Sequence, residues 1–125
     1  MAINPVNWFE LYVQDMGRAK QFYEVVFGLT LTRLDSPVPD MELWSFPMAE
    51  GAPGATGALV RMEGAPSGGG GTLIYFSCAD CSVEAAKAAA NGGQIFREKF
   101  PIGQYGFIAL VCDTEGNMIG LHSMQ

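Results

Sequence analysis

The chain has 125 residues, enough for one domain, and a chain of that size hides roughly two-thirds of its unfolded surface on folding. Charged residues make up only 16% of it, against roughly 25% in an average soluble protein, which points to part of the surface being covered in an oligomer. The net charge of -6 sets the protein against phosphate backbones, so nucleic acid is not an expected partner, and no run of about 18 apolar residues marks a membrane span.

The first residues, Met1-Ala2-Ile3-Asn4-Pro5, lack the charged-then-apolar pattern of a secretion signal. The 3 cysteines are odd in number and are not part of a short, Cys-dense scaffold. Free thiols in a reducing cytoplasm are the simplest reading.

In chain order, Trp8 to Val13 reads as a strand. Asp15 then offers an N-cap for a helix whose apolar stripe is Ala19, Phe22, Tyr23 and Val26, and Gly28 supplies a left-handed stop. Strands are expected at Leu29 to Leu34, Met41 to Phe46 and Gly57 to Met62. Gly64 to Gly71 has the composition of a linker. Thr72 to Cys78 reads as the next strand, and Asp80 or Ser82 caps a second helix. That helix is Ala-rich, stops at Asn91-Gly92-Gly93, and is expected to bury Val83, Ala86 and Ala90. Gln94 to Lys99, Gly106 to Cys112 and Asn117 to Ser123 complete the strands.

The order is strand, helix, three strands, then the same again. A shift of 65 residues carries Asp15 to Asp80, Gly28 to Gly93, Trp8 to Leu73 and Leu11 to Phe76. Self-similarity of this kind marks a duplicated βαβββ unit. The expectation is a single α+β domain over 1–125, with module one at about 5–63, a linker at 64–71 and module two at about 72–125.

Three motifs carry a resemblance to a known family. Phe22-Tyr23-Glu24-Val25-Val26-Phe27-Gly28-Leu29 is similar to an F-Y-x-x-x-L-G-hydrophobic helix end. Ala89-Ala90-Asn91-Gly92-Gly93 matches the end of the second helix. Asp113-Thr114-Glu115-Gly116-Asn117-Met118-Ile119-Gly120-Leu121 resembles a D-P-x-G-N turn feeding the last strand. In this order and spacing they resemble the vicinal oxygen chelate superfamily, which includes glyoxalases, bleomycin-resistance proteins and extradiol dioxygenases. The resemblance implies two tandem βαβββ modules forming a curled, cup-shaped mixed sheet with the helices outside. It also implies a small-molecule pocket, closed within one chain or across a homodimer.

Enzymes of that family hold a divalent metal with His, Glu or Gln on the first and last strands of each module. Carried over by position, those ligands fall on Trp8, Leu73, Gly120 and, within one residue, Ala58. None of these side chains binds a divalent cation. With 1 histidine in the chain, an imidazole-rich site within one subunit is excluded. The expectation is therefore no metal and no cofactor, unless a shifted site uses Glu10 and His122.

Alternation along a strand places Glu10 and Tyr12 on the face of Trp8, Tyr75 on the face of Leu73, and His122 on the face of Gly120. Glu10 between Phe9 and Leu11 suits a general base if buried, and His122 suits an acid/base or ligand contact. A solvent-facing Glu and a surface His are their ordinary alternatives. Trp8, Tyr12, Trp44, Tyr75 and Tyr105 are the expected ligand-contacting aromatics, with plain core packing as the competing role of Trp44 and Tyr105. Cys78-Ala79-Asp80-Cys81 has redox spacing at a helix start, but lacks thioredoxin-type surroundings and reads as structural.

Three functions remain open at this level. The first is a metal-free protein that binds a small organic ligand. The second is a glyoxalase-like lyase, isomerase or dioxygenase using Glu10 or His122. The third is an interaction module of a larger assembly.

Overall fold

The computed structural model of the chain describes residues 4–125. Residues 1–3, where the reading of the N-terminus begins, lie outside the described residues. The elements run β1 (Val6–Tyr12), α1 (Met16–Phe27), β2 (Thr32–Leu34), β3 (Met41–Ser45), β4 (Thr56–Met62), β5 (Thr72–Ser77), α2 (Cys81–Ala90), β6 (Gln94–Pro101), a 3-10 turn (Gly103–Tyr105), β7 (Phe107–Cys112) and β8 (Met118–Ser123). This is the expected α+β arrangement of two tandem βαβββ modules.

The described residues form two compact units, Trp8–Thr72 and Leu73–Gln125, the second also taking in residues 4–7. The 64–71 segment is no free linker. It belongs to the first unit, where Tyr12 N–H donates to the Gly71 carbonyl at 2.8 Å and the Gln14 side-chain amide donates to the Ala65 carbonyl at 3.0 Å. The turn satisfies backbone groups that a solvated linker would leave to water.

In the first unit the strand order is β2-β3-β4-β1, with β1 and β4 parallel and the rest antiparallel. Parallel strands need a long crossover, and α1, β2 and β3 supply it. Register assigns the faces. Leu11, Leu59 and Trp44 are in line, as are Tyr12, Val60 and Leu43. The first row packs under α1 with Met16 and Leu31, while the second forms a separate cluster with Ala58, Trp8 and Met62. Leu59 and Val60 are fully buried on opposite faces, each stabilising the fold by about 1.5–3 kcal/mol. Gly57 is required on β4, because a Cβ there would collide with the backbone of Phe9.

Helix α1 begins as expected. The Asp15 carboxylate accepts from Arg18 N–H at 3.0 Å, and Gly28, at φ 64°, closes the helix through its N–H on the Glu24 carbonyl. The buried stripe differs from expectation: Met16, Ala19 and Tyr23 pack inward, whereas Phe22 and Val26 are 56% and 55% exposed. Strand β2 also starts later than Leu29. Glu24 holds this stretch, its carbonyl accepting from Leu29 N–H and its carboxylate from Leu31 N–H at 2.9 Å.

In the second unit the order is β5-β8-β7-β6, with β5 and β8 parallel. Asp80, not Ser82, caps α2. Its Oδ1 accepts from Ser82 N–H at 3.0 Å, the Ser82 hydroxyl at 2.7 Å and the Lys99 ammonium at 2.9 Å. Helix α2 buries Cys81 and Ala85, with Ala88 packed alongside, against Ala109, Val111 and Leu121. Val83, Ala86 and Ala90 face outward instead.

Candidate functional site

On the face of the first unit away from α1, the period of two along β1 brings Trp8, Glu10 and Tyr12 together. The Trp8 indole N–H donates to Glu10 Oε2 at 3.2 Å, and the Tyr12 hydroxyl donates to Glu10 Oε1 at 2.8 Å. An indole N–H can only donate, so the carboxyl acts here as an acceptor on both oxygens. All three side chains are half-buried. The Tyr12 hydroxyl titrates well above its ordinary range, first because of burial and then because of the charge and hydrogen bond of Glu10. It therefore stays protonated and donating across the physiological range.

Across the sheet, on the β4 side, the residues in line with Glu10 are small. Ala58 is its partner on β4 and Ser45 lies beyond it on β3, both buried. Trp44 is elsewhere. It stands on the α1 side, its indole donating to Glu42 at 2.8 Å and its ring carrying the Lys20 ammonium 3.7 Å from the centroid. It is thus not part of the Glu10 group, because its register partner is Leu59 rather than Ala58.

In the second unit Tyr75 pairs with Gly120, and its ring lies against the glycine so closely that any Cβ there would collide with it. His122 follows on the same strand face. Its Nε2 contacts the Tyr105 carbonyl at 2.6 Å, and a carbonyl only accepts, so this nitrogen carries the proton. Nδ1 faces the Asn7 side-chain amide at 3.4 Å. The imidazole holds the 3-10 turn to β8, and Tyr105 enters through its backbone.

The cysteines are free. Cys81 is fully buried, and its N–H donates to the Ser123 hydroxyl at 3.0 Å. Burial, then the neighbouring Glu84, pushes the Cys78 thiol up to about 11, the opposite of a redox-active cysteine.

The resemblance carries metal ligands onto Trp8, Ala58, Leu73 and Gly120. Ala58 is wholly buried, Leu73 is 7% exposed, and the Tyr75 ring covers Gly120. The residues at these four positions do not fit a divalent metal. Among the described residues, no group of three or more His, Cys, Asp or Glu is placed to hold one.

Sequence reasoning missed an open groove of about 530 Å³ at the strand ends of the first unit, where Arg33 and Arg61 alternate with Asp40, Glu42 and Glu63. Asp40 adopts a left-handed φ of 63° there. The only sequence signal is charge alternating with apolar residues on β2 to β4, which also describes an ordinary solvated strand face.

The family model for the Glyoxalase/Bleomycin resistance protein/Dioxygenase superfamily matches residues 5–121. The chain is 30% identical over 111 residues to the protein named "Putative glyoxylase CFP32" of Mycobacterium bovis and of Mycobacterium tuberculosis, covering 87% of this chain and 40% of theirs. It therefore spans about two-fifths of the length of these relatives. Among solved structures, methylmalonyl-CoA epimerase from Mycobacterium tuberculosis superposes with a TM-score of 0.70 at 14% identity, over 97% of this chain and 88% of the other. The Streptomyces coelicolor methylmalonyl-CoA epimerase in complex with 2-nitronate-propionyl-CoA gives 0.68 at 15%, over 98% and 95%. Hypothetical protein BH1468 from Bacillus halodurans gives 0.72 at 14%, over 96% and 94%. At these identities the structural likenesses speak for the fold alone. On its sequence match, its paired βαβββ units and its glycine-stopped first helix, the chain belongs to the Glyoxalase/Bleomycin resistance protein/Dioxygenase superfamily.

Proposed function

We propose that this protein binds a small organic molecule on the sheet face that carries Glu10, and that it does so without the divalent metal of its enzymatic relatives. One observation carries the reading: Glu10 is held by Trp8 and Tyr12 on a strand face otherwise made of aromatic, aliphatic and small hydroxyl side chains. A few fixed polar groups in apolar walls are how small-molecule sites achieve orientation. Trp8, Ala58, Leu73 and Gly120 support the metal-free part, since their side chains offer no ligand atom. The low share of charged residues supports a homodimer. The three free cysteines support a reducing compartment, the cytoplasm. No helix among the described residues is long and apolar enough to cross a membrane.

Elemental analysis of purified protein, paired with thermal shifts against Ni, Mn, Fe, Zn and Co, tests the reading. We expect no bound ion and no rise in melting temperature. A bound ion at one per chain would overturn the metal-free assignment.

A second reading is a lyase, isomerase or dioxygenase in which Glu10 is the general base. The observation in its favour is the fixed orientation of the carboxylate by two donors, which is what proton abstraction requires. His122 contributes less to this reading, because its Nε2 is already committed to the Tyr105 carbonyl. A pH-rate profile separates the two, since only the enzyme needs a titrating group.

A further inference from the structure

Helix α1 carries apolar side chains all round, and the sheet covers only one side of it. Met16, Ala19 and Tyr23 pack inward. Phe22, Val25, Val26 and Phe27, in its last two turns, stand 56%, 75%, 55% and 63% exposed. Phe22, Val25 and Val26 follow at i, i+3 and i+4 and form one contiguous stripe. With Phe27 they leave roughly 400 Å² of apolar surface in water, the scale of the apolar core that a standard interface of about 800 Å² per partner encloses in a polar rim. The charge on this helix also stands at the wrong end for its dipole. Arg18 lies in the first turn, beside the partial positive end, while the last turn, at the partial negative end, holds no basic residue. Among the described residues, the Arg18 guanidinium makes no ion pair.

We infer that this stripe is the homodimer surface: two copies of α1 pack antiparallel across a two-fold axis, Phe22 of each against Val25 and Val26 of the other. The inference rests on the homodimer reading above and names its surface. A two-fold contact uses the same patch on both partners, so the patch must complement itself. Antiparallel pairing does so in two ways. It lays one apolar stripe on the other. It also carries Arg18, one turn before Phe22, to the C-terminal end of the partner's helix, where the dipole lacks a cation. A parallel pair would set the two Arg18 side chains against each other instead. A groove of about 330 Å³, lined in part by Val13, Ala19, Phe22 and Tyr23, lies beside the stripe and faces the other copy's Val26 in this register. The net charge of -6 sets the same face against an anionic lipid surface.

Sedimentation velocity of the full chain across a micromolar concentration series tests it. We expect a dimer. Val25→Glu should give a monomer with unchanged far-ultraviolet circular dichroism, since Val25 is the most exposed of the four. Arg18→Glu should weaken the dimer at least about tenfold, because both copies then place an anion at a helix C-terminus. Phe96→Glu, which changes a comparably exposed aromatic on β6, should leave the dimer intact. A dimer that survives Val25→Glu, is indifferent to Arg18→Glu, or is lost in Phe96→Glu would overturn the inference while leaving the homodimer reading intact. Should Val25→Glu fail to fold, Arg18→Glu decides alone. A wild-type monomer would overturn both, and its co-sedimentation with phosphatidylglycerol vesicles would reassign the face to lipid.

Discussion

The ring of Tyr75 occupies the space that any side chain at residue 120 would need, so Gly120 is glycine because of Tyr75. Gly120→Ala is expected to destabilise the protein by about 1–3 kcal/mol through overpacking, read as a melting temperature lowered by several degrees. Adding Tyr75→Ala to Gly120→Ala should cost less than the two single changes together, because the second change removes the obstacle the first one meets. Strict additivity in thermal denaturation would show that the two residues do not share this space.

Tyr12 is tied to alkaline stability. Its hydroxyl is raised in the fold, above the roughly 10 of an unfolded tyrosine. As pH climbs past roughly 10 the unfolded chain releases that proton and the native one keeps it, so stability present below roughly pH 10 is lost progressively above it. Tyr12→Phe should cost about 1–2 kcal/mol at neutral pH, through loss of a donor to Glu10. It should also flatten the alkaline decline in urea denaturation.

Asp80 governs the acid side. Hydrogen bonds from Ser82, then the Lys99 ammonium, hold its carboxyl down at about 2, below the usual 3.8. Its contribution is present above roughly pH 4 and fades as pH falls toward 2. Asp80→Asn retains a good N-cap but cannot titrate. Melting curves between roughly pH 5 and pH 2 should therefore fall less steeply for Asp80→Asn than for the wild type.

Cys78 should resist alkylation. With its thiol raised to about 11, little thiolate exists at neutral pH. Iodoacetamide followed by mass spectrometry should label Cys78 in the native protein far more slowly than in urea, and Cys81, being fully buried, slower still. Rapid labelling of Cys78 in the native state would contradict the burial assigned to it.

Much of this was legible in the residues. Asp15 and Asp80 cap the two helices, and the 65-residue shift between them holds for Glu10 and Tyr75, which occupy equivalent places on β1 and β5. Period two correctly joined Trp8, Glu10 and Tyr12 because they share one strand. Trp44 was not legible in that way. It lies on a different strand, and which of its faces meets Glu10 depends on register, which alternation within β3 does not encode. The buried side of α2 failed for another reason. An Ala-rich helix has little contrast between faces, so Cys81, Ala85 and Ala88 could not be told from Val83, Ala86 and Ala90 by pattern alone.

One small residue in each half has a consequence for the halves as separable parts. Ala58 lies beside Glu10, and Gly120 lies beside Tyr75 at the matching place one repeat later. In the first half the small residue is paired with a carboxylate, and in the second with a ring. A chain assembled from two first halves would carry two such carboxylates, and one assembled from two second halves would carry none. The order of elements is duplicated, but the chemistry is not: the carboxylate belongs to the first half alone at this place.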